Sequence, residues 1–263
     1  MHVLITGAAG FTKGSFGTLT VNSNNTYTGV TTVNAGILVV NGSQPVSPIV
    51  LTGGALEGTG TVATVTSVGS YVSPGITTGI LTCSNVTLNP SSTFQVALNG
   101  TTAGSGYSQL NVNGSVVLSD AVLIASLGFT PALGASFVIL NNDGSDPVTG
   151  IFKNLPEGAT YTNTTVPLKI SYVGGSGNDV TLTFLSPPTR FDSISRPTNG
   201  QVQLHAIGGI SNFVYTLQAT TNLVPVVQWS NIATATGDSN GRISFTDTNA
   251  NRFPKRFYRV LSP

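Results

Sequence analysis

The chain has 263 residues, enough for one large β domain or for such a domain and a smaller partner. Hydrophobic residues make up 40% of it and charged residues only 7%, so we expect a buried core rather than a disordered chain. No stretch is long and apolar enough to predict a membrane span. The formal net charge of +1 does not favour nucleic-acid binding.

The first residues, MHVLITGAAG, raise the possibility of a nucleotide-binding turn, because a short apolar run leads into closely spaced glycines. The residues that follow lack a helical apolar period, and no acid lies near position 27, which is Tyr27. We therefore interpret Gly7 and Gly10 as turn glycines. The start also lacks the basic region of a signal peptide. We therefore expect the chain to be a fragment that does not include the export signal. Met1 is then not necessarily the native start.

From residue 15 to about 185, short runs of alternating Val, Leu, Ile and Thr are separated by Gly, Asn or Ser-Gly. Such runs predict β-strands with a turn about every 8 to 12 residues. They fit either antiparallel hairpins or a solenoid of stacked coils. Uneven turns favour the solenoid, and so does the scarcity of charge, because stacking brings like side chains within about 4.8 Å of each other.

Residues 5–42 resemble the autotransporter-associated β-strand repeat. The matching motifs are Gly10-Phe11-Thr12-Lys13, Gly17-Thr18-Leu19-Thr20, Asn25-Thr26-Tyr27-Thr28-Gly29 and Thr31-Thr32-Val33-Asn34-Ala35-Gly36. The resemblance implies an all-β fold, a right-handed parallel β-helix with about eight coils. The segment ISYVGGSGNDVTLTF, residues 170–184, resembles the final strand pair of such passenger domains.

Charge and composition change near LSPPTR. Residues 1–185 carry three Lys, six acids and no Arg, whereas residues 186–263 carry six Arg, one Lys and three Asp. We predict a β-helix over 1–185, a Pro-rich linker at 186–190 and a small antiparallel β-sandwich over 191–263. The last segment resembles a module at the C-termini of large secreted bacterial proteins. Its predicted core is Trp229, Phe245 and Tyr258; the alternative is an aromatic platform for a sugar.

Candidate catalytic residues are few and scattered. Glu57 and Asp120 would have to find partners across coils, and Asp143 and Asp146 lie in a predicted turn. His2 is terminal and His205 is expected on an exposed strand face, so neither a metal site nor a triad is predicted. We expect no enzyme activity, no cofactor and no metal.

Two further motifs are interpreted as structural. GGSGNDVTL at 174–182 is similar to a calcium-binding nonapeptide but occurs once, so we predict a tight turn at Gly174, Gly175 and Gly177 capped by Asp179. The single cysteine, Cys83, lies in a strand-like run and is expected to be buried.

These observations favour a non-enzymatic extracellular structural module, a stalk within a bacterial surface or secreted protein. One alternative is an adhesin or polysaccharide-binding module that uses exposed Tyr27, Tyr71 and Tyr107. Another is a self-assembling filament subunit, whose partners are copies of itself. No nucleic-acid partner and no membrane-spanning segment are expected.

Overall fold

The computed structural model describes residues 4–164, 166–185, 188–197 and 200–262. The chain forms two compact units, Met1–Phe184 and Leu185–Pro263. Among the described residues every regular element is a strand, apart from one turn of 3₁₀ helix at Ala250–Arg252. The all-β fold is therefore confirmed.

The strands of the first unit are short. In chain order they are β1 (Phe11–Lys13), β2 (Thr18–Val21), β3 (Thr31–Val33), β4 (Ile37–Val40), β5 (Ser43–Gln44), β6 (Ile49–Leu51), β7 (Ala55–Gly58), β8 (Thr61–Val62), β9 (Val65–Ser67), β10 (Tyr71–Pro74), β11 (Ile80–Cys83), β12 (Val86–Leu88), β13 (Thr93–Leu98), β14 (Gln109–Val112), β15 (Val116–Ser119), β16 (Val122–Leu127), β17 (Ser136–Asn142), β18 (Thr149–Ile151), β19 (Thr160–Tyr161), β20 (Leu168–Gly174) and β21 (Asp179–Phe184).

These strands form three sheets in which each strand pairs with the equivalent strand of the next coil. The first sheet has the order β1-β3-β6-β9-β12-β15-β18 and the second β16-β13-β10-β7-β4-β2, and every pairing in both is parallel. The third sheet has the order β19-β20-β21-β17-β14-β11-β8-β5 and is parallel from β5 to β17. This is a parallel β-helix, as the sequence predicted; its right-handedness stays a prediction.

The coils differ in length and are longest toward the end of the β-helix. In the first sheet Ile49 pairs with Val65, 16 residues later, whereas Val117 pairs with Thr149, 32 residues later. The sheet has seven described strands, one fewer than the approximate number of coils that the sequence predicted. The additional residues lie in the turns, where length is not constrained by the pairing of the strands.

The interior of the first unit is filled by side chains stacked coil upon coil. In the second sheet the register aligns one inward position of successive strands, and these residues are buried: Leu38, Leu56, Val72, Phe94 and Leu123. Burial of such aliphatic and aromatic side chains stabilises each by about 1.5–3 kcal/mol. The alternating apolar residues of the sequence therefore become continuous inward rows.

The opening glycines permit close stacking of the first coils. A β-carbon on Gly10 would lie 1.9 Å from the carbonyl oxygen of Val30, and one on Gly29 would lie 2.0 Å from the backbone nitrogen of Gly10. Lys13, on β1, is buried and donates hydrogen bonds to the carbonyl oxygens of Ser15 and Ala35. The glycine-rich start thus packs backbone against backbone, as a turn rather than a nucleotide-binding loop.

The far end of the β-helix is closed by antiparallel pairing. β21 pairs with β17 and with β20, which confirms the predicted strand pair at 170–184. Two buried tyrosines satisfy backbone groups there: the Tyr161 hydroxyl accepts a 2.8 Å bond from the Ala125 nitrogen, and Tyr172 accepts one of the same length from the Phe152 nitrogen. Strand edges that would otherwise lack partners are thereby paired.

The second unit consists of two three-stranded antiparallel sheets. Its strands are β22 (Arg190–Ser195), β23 (Val202–Ile207), β24 (Val214–Thr220), β25 (Ser230–Thr236), β26 (Ile243–Asp247) and β27 (Phe257–Leu261). The sheets have the orders β22-β23-β26 and β25-β24-β27. β22 begins at Arg190, inside the predicted linker, whereas residues 186 and 187 of that linker lie outside the described residues.

The core of this unit contains one of the three predicted aromatic residues. Phe245 is buried, Tyr258 is half-buried and packs against the core, and Trp229 lies outside it. Trp229 precedes β25, and its indole ring contacts the guanidinium of Arg259 at 4.5 Å from the ring centroid. The prediction that Trp229 belongs to the core was therefore wrong.

Candidate functional site

The three tyrosines predicted as ligand contacts do not share a surface. Tyr71, on β10, is 48% exposed, as expected. Tyr27 and Tyr107 are buried, so the expectation that they are exposed was wrong. The Tyr27 hydroxyl meets Thr31 Oγ1 at 2.6 Å and donates to Gln44, and the Tyr107 ring packs edge-on against Phe137 at 5.5 Å. Both Tyr27 and Tyr107 therefore point into the interior, where they contact other side chains. A ligand contact by Tyr71 stays a prediction.

The carboxylates of the first unit are separated by the topology. Glu57 lies on β7, whereas Asp120 precedes β16, three strands further along the same sheet. That separation is about 14 Å along the stacking direction, beyond the 5–10 Å between paired glycosidase carboxylates. Partial burial raises the pKa of Glu57 above its ordinary value. No partner acid accompanies that shift in the described residues.

The turn at 174–182 is built around Asp179, as predicted. Its Oδ2 accepts hydrogen bonds from the Ser176 nitrogen at 2.7 Å and from Ser176 Oγ at 3.0 Å, and its Oδ1 accepts one from the Asn142 nitrogen at 2.8 Å. Gly175 and Gly177 have φ values of +52° and +114°, which favour glycine. Because protein donors occupy both carboxylate oxygens, this aspartate serves as a cap of the turn.

Two residues resemble part of a hydrolytic site. His205 Nδ1 lies 2.9 Å from Ser244 Oγ across the pairing of β23 with β26. A working triad also needs a carboxylate that orients the imidazole and donors that stabilise an oxyanion. No hydrogen bond joins His205 to a carboxylate in the part of the chain that the structure describes. The pair is a cross-strand contact on a solvent-facing sheet.

Cys83 is buried, as predicted, and burial raises the pKa of its thiol to about 12. A thiol held neutral in this way is a poor nucleophile. Across the described residues, no group of three or more His, Cys, Asp or Glu side chains converges in a way that could hold a metal ion.

The strongest polar centre of the second unit surrounds Asp247. Its Oδ2 accepts hydrogen bonds from Arg256 Nη1 at 2.7 Å and from the Tyr258 hydroxyl at 3.0 Å. Its Oδ1 accepts one from the Asn249 nitrogen at 3.0 Å. Burial and this hydrogen bond raise the pKa of Tyr258 to about 12. These hydrogen bonds join the end of β26 to β27 and to the segment between the two strands.

Open grooves occur in both units. One of about 350 Å³ lies in the second unit, lined by Thr220, Asn222, Val226, Ser230, Phe253 and Arg256 among others. One of about 340 Å³ lies in the first unit beside Lys153, Asn154 and Tyr161. Neither brings together a nucleophile, a base and an anion-stabilising group.

A row of hydrogen-bonded side chains crosses the outer face of the sheet β25-β24-β27. Gln218 Nε2 donates to Asn231 Oδ1 at 2.7 Å, and Arg259 Nε donates to Gln218 Oε1 at 2.7 Å. With Trp229, whose ring lies against the Arg259 guanidinium, these residues form what we call the guanidinium row. Sequence reasoning missed it because only the register of the strands sets Gln218 opposite Arg259.

Similarity to known proteins agrees with this architecture. The family model described as passenger-associated-transport-repeat matches residues 11–40. The chain is also 30% identical over 211 residues to the extracellular serine protease of Serratia marcescens. That match covers 77% of this chain but only 19% of the relative.

The matched repeat contains β1 to β4, which pair as the first two coils of the first and second sheets. No helix within the described residues has the length and apolar character needed to cross a bilayer. The family match, the relative and the parallel stack of strands agree with the resemblance read from residues 5–42. Residues 11–40 therefore form a passenger-associated transport repeat, and the chain is similar to autotransporter passenger-type repeat proteins.

Proposed function

We propose that the first unit is a non-enzymatic structural module of an extracellular passenger protein, and that its contribution is length and rigidity. The observation that carries this proposal is the filled interior of the β-helix. Inward rows such as Leu38, Leu56, Val72 and Phe94 are fully buried and aligned from coil to coil. Close-packed interiors deform little, which suits a spacer.

The distribution of chemical groups supports the same proposal. In the first unit Asp179 caps a turn, Glu157 accepts a hydrogen bond from the Tyr172 nitrogen, and the cysteine is buried. The rival function is proteolysis, because the similar Serratia marcescens protein is named an extracellular serine protease. The chain spans about a fifth of that protein, and the only histidine that contacts a serine in the described residues is His205, beside Ser244.

The experiment is to treat the purified full chain with a fluorophosphonate probe, which labels activated serines, and to assay casein hydrolysis. We expect neither labelling nor hydrolysis, with the same result for Ser244→Ala. Labelling at Ser244 that disappears in His205→Ala would overturn the proposal. Negative-stain microscopy over a concentration series tests the structural role: discrete particles support a spacer, whereas long fibres support the filament alternative.

A further inference from the structure

The guanidinium row has the features of an anion-binding site, and it lies in the second unit, outside the structural role proposed for the first. The bond from Arg259 Nε to Gln218 Oε1 and the Trp229 ring at 4.5 Å fix the plane of the guanidinium. Its two terminal nitrogens make no hydrogen bond to any described residue. A fixed fork with two free donors matches a carboxylate bidentately.

The charge of Arg259 is not compensated by the acids of its unit. Asp192 pairs with Arg242 at 3.1 Å, and Asp247 pairs with Arg256 at 2.7 Å. Asp238 accepts hydrogen bonds from the backbone nitrogens of Asn240 and Arg242. The described acids are thus engaged elsewhere, which leaves a positive centre on an otherwise uncharged sheet face.

The surroundings of the guanidinium distinguish between anions. Alternation along β27 places Phe257 and Leu261 on the same face as Arg259, and they are 36% and 39% exposed. Apolar side chains of this kind can pack against the C–H face of a sugar ring. The Asn231 amide, held by Gln218, adds a polar contact for hydroxyl groups.

We propose that the guanidinium row binds the carboxylate of a uronic acid in an acidic polysaccharide, with the sugar ring packed on the neighbouring apolar side chains. An acidic peptide would share the carboxylate but would not supply a ring of hydroxyl groups for Asn231. A free anion would leave Phe257 and Leu261 without contacts. The expected ligand is therefore an anionic glycan chain lying across the sheet.

Polygalacturonate is the probe, and its fully methyl-esterified form is the matched control because esterification removes the charge and adds only a methyl group. The single tryptophan, Trp229, lies in the site, so its fluorescence reports binding to the full chain directly. We expect saturable binding of polygalacturonate and at least about tenfold weaker binding of the ester, from loss of a charge-assisted pair.

Variants locate the effect. Arg259→Ala should weaken binding at least about tenfold, and Arg259→Lys should weaken it nearly as much because lysine lacks the fork. Arg252→Ala removes the same charge from an exposed position of the same unit and should change affinity by less than about twofold. Circular dichroism checks folding, and Arg259→Lys decides the matter if Arg259→Ala does not fold.

The proposal would be overturned if polygalacturonate did not bind, or if its methyl ester bound equally well. It would also be overturned if Arg252→Ala weakened binding as much as Arg259→Ala, or if polyglutamate bound more tightly than polygalacturonate. The last would identify an acidic protein as the partner. None of these results bears on the protease assay, so this proposal and the structural role fail separately.

Discussion

The two units of this chain protect their interiors in different ways. In the β-helix, like side chains stack on like and the strand register repeats from coil to coil, so interior positions such as Leu56 and Phe94 are completely buried. In the second unit a small core has half-buried neighbours and is supported by the buried Asp247 carboxylate. The β-helix is stabilised mainly by apolar packing, whereas the second unit depends more on the polar network around Asp247 than the β-helix depends on any polar network.

The composition supplies a separate probe for each unit. The single cysteine, Cys83, is buried in the β-helix, so its alkylation reports unfolding there. The single tryptophan, Trp229, lies in the second unit, so its fluorescence reports that unit. One denaturant titration therefore measures both midpoints and tests how each unit is stabilised.

Phe94→Ala should have the largest effect. Phe94 is fully buried and stacks on Phe152 with ring centroids 5.9 Å apart. Loss of a buried Phe ring costs about 3–5 kcal/mol, so the midpoint for Cys83 alkylation should fall steeply. Gln95→Ala, at the next and exposed position, is the control and should leave it unchanged. An equal shift of the Trp229 transition would contradict the description of two separately packed units.

Asp247→Asn should affect the second unit next most strongly. The variant leaves the Arg256 guanidinium, whose side chain is 12% exposed, without its counter-charge. Removing one partner of a buried pair costs about 3–5 kcal/mol, less where the amide keeps some hydrogen bonds, so we expect about 2–4 kcal/mol in the Trp229 transition.

The matched control for that variant is Asp192→Asn, because Asp192 and Arg242 form an ion pair whose side chains are 41% and 52% exposed. Exposed pairs contribute about 0–1 kcal/mol. If Asp247→Asn and Asp192→Asn lowered the free energy of unfolding equally, the Asp247 network would not be what stabilises this unit.

Tyr172→Phe should have the smallest effect of the three, at the closed end of the β-helix. It removes the acceptor for the Phe152 nitrogen and the 2.7 Å bond donated to the Leu155 carbonyl, at a cost of about 1–3 kcal/mol. The measurement is the Cys83 alkylation midpoint at pH 8. No change would mean that the coil end is paired without this hydroxyl.

The stability difference between the wild type and Tyr172→Phe should depend on pH. Burial raises the pKa of Tyr172 to about 12, whereas an unfolded tyrosine ionises near about 10. Between those values the unfolded state releases the proton first, so the contribution of Tyr172 is complete below pH 10 and is lost as the pH rises to about 12. The difference in the Cys83 alkylation midpoint between the wild type and Tyr172→Phe should therefore decrease from pH 10 to about pH 12. A constant difference would contradict the link between this ionisation and stability.

The sequence predicted the β-helix well where one motif recurs with its turn glycines. In residues 5–42 the repeat indicates both the strands and the stacking, because Gly10 and Gly29 meet backbone to backbone. It did not indicate the length of each coil, because turns of different lengths join the same short strands. The final strand pair was recognisable because 170–184 contains its own glycine turn.

The candidate sites were harder to predict. Tyr27 lies in NTYTG, where no alternating apolar neighbours indicate which way the side chain points. Its inward position depends on Thr31, at the start of β3, and on Gln44, on β5. Trp229 was assigned to the core because large aromatic residues are usually buried. Its position beside Arg259 follows from a strand register that local sequence does not encode.

The difference in coil length has a mechanical consequence. Tension along the stacking direction acts along the backbone hydrogen bonds between parallel strands. The coils would therefore separate from the stack one at a time. The segment from Ile49 to Val65 would release about 55 Å of extended chain, and that from Val117 to Thr149 about 110 Å. The unit would therefore extend in its longest steps near its last coils, where one step is about twice that released between Ile49 and Val65.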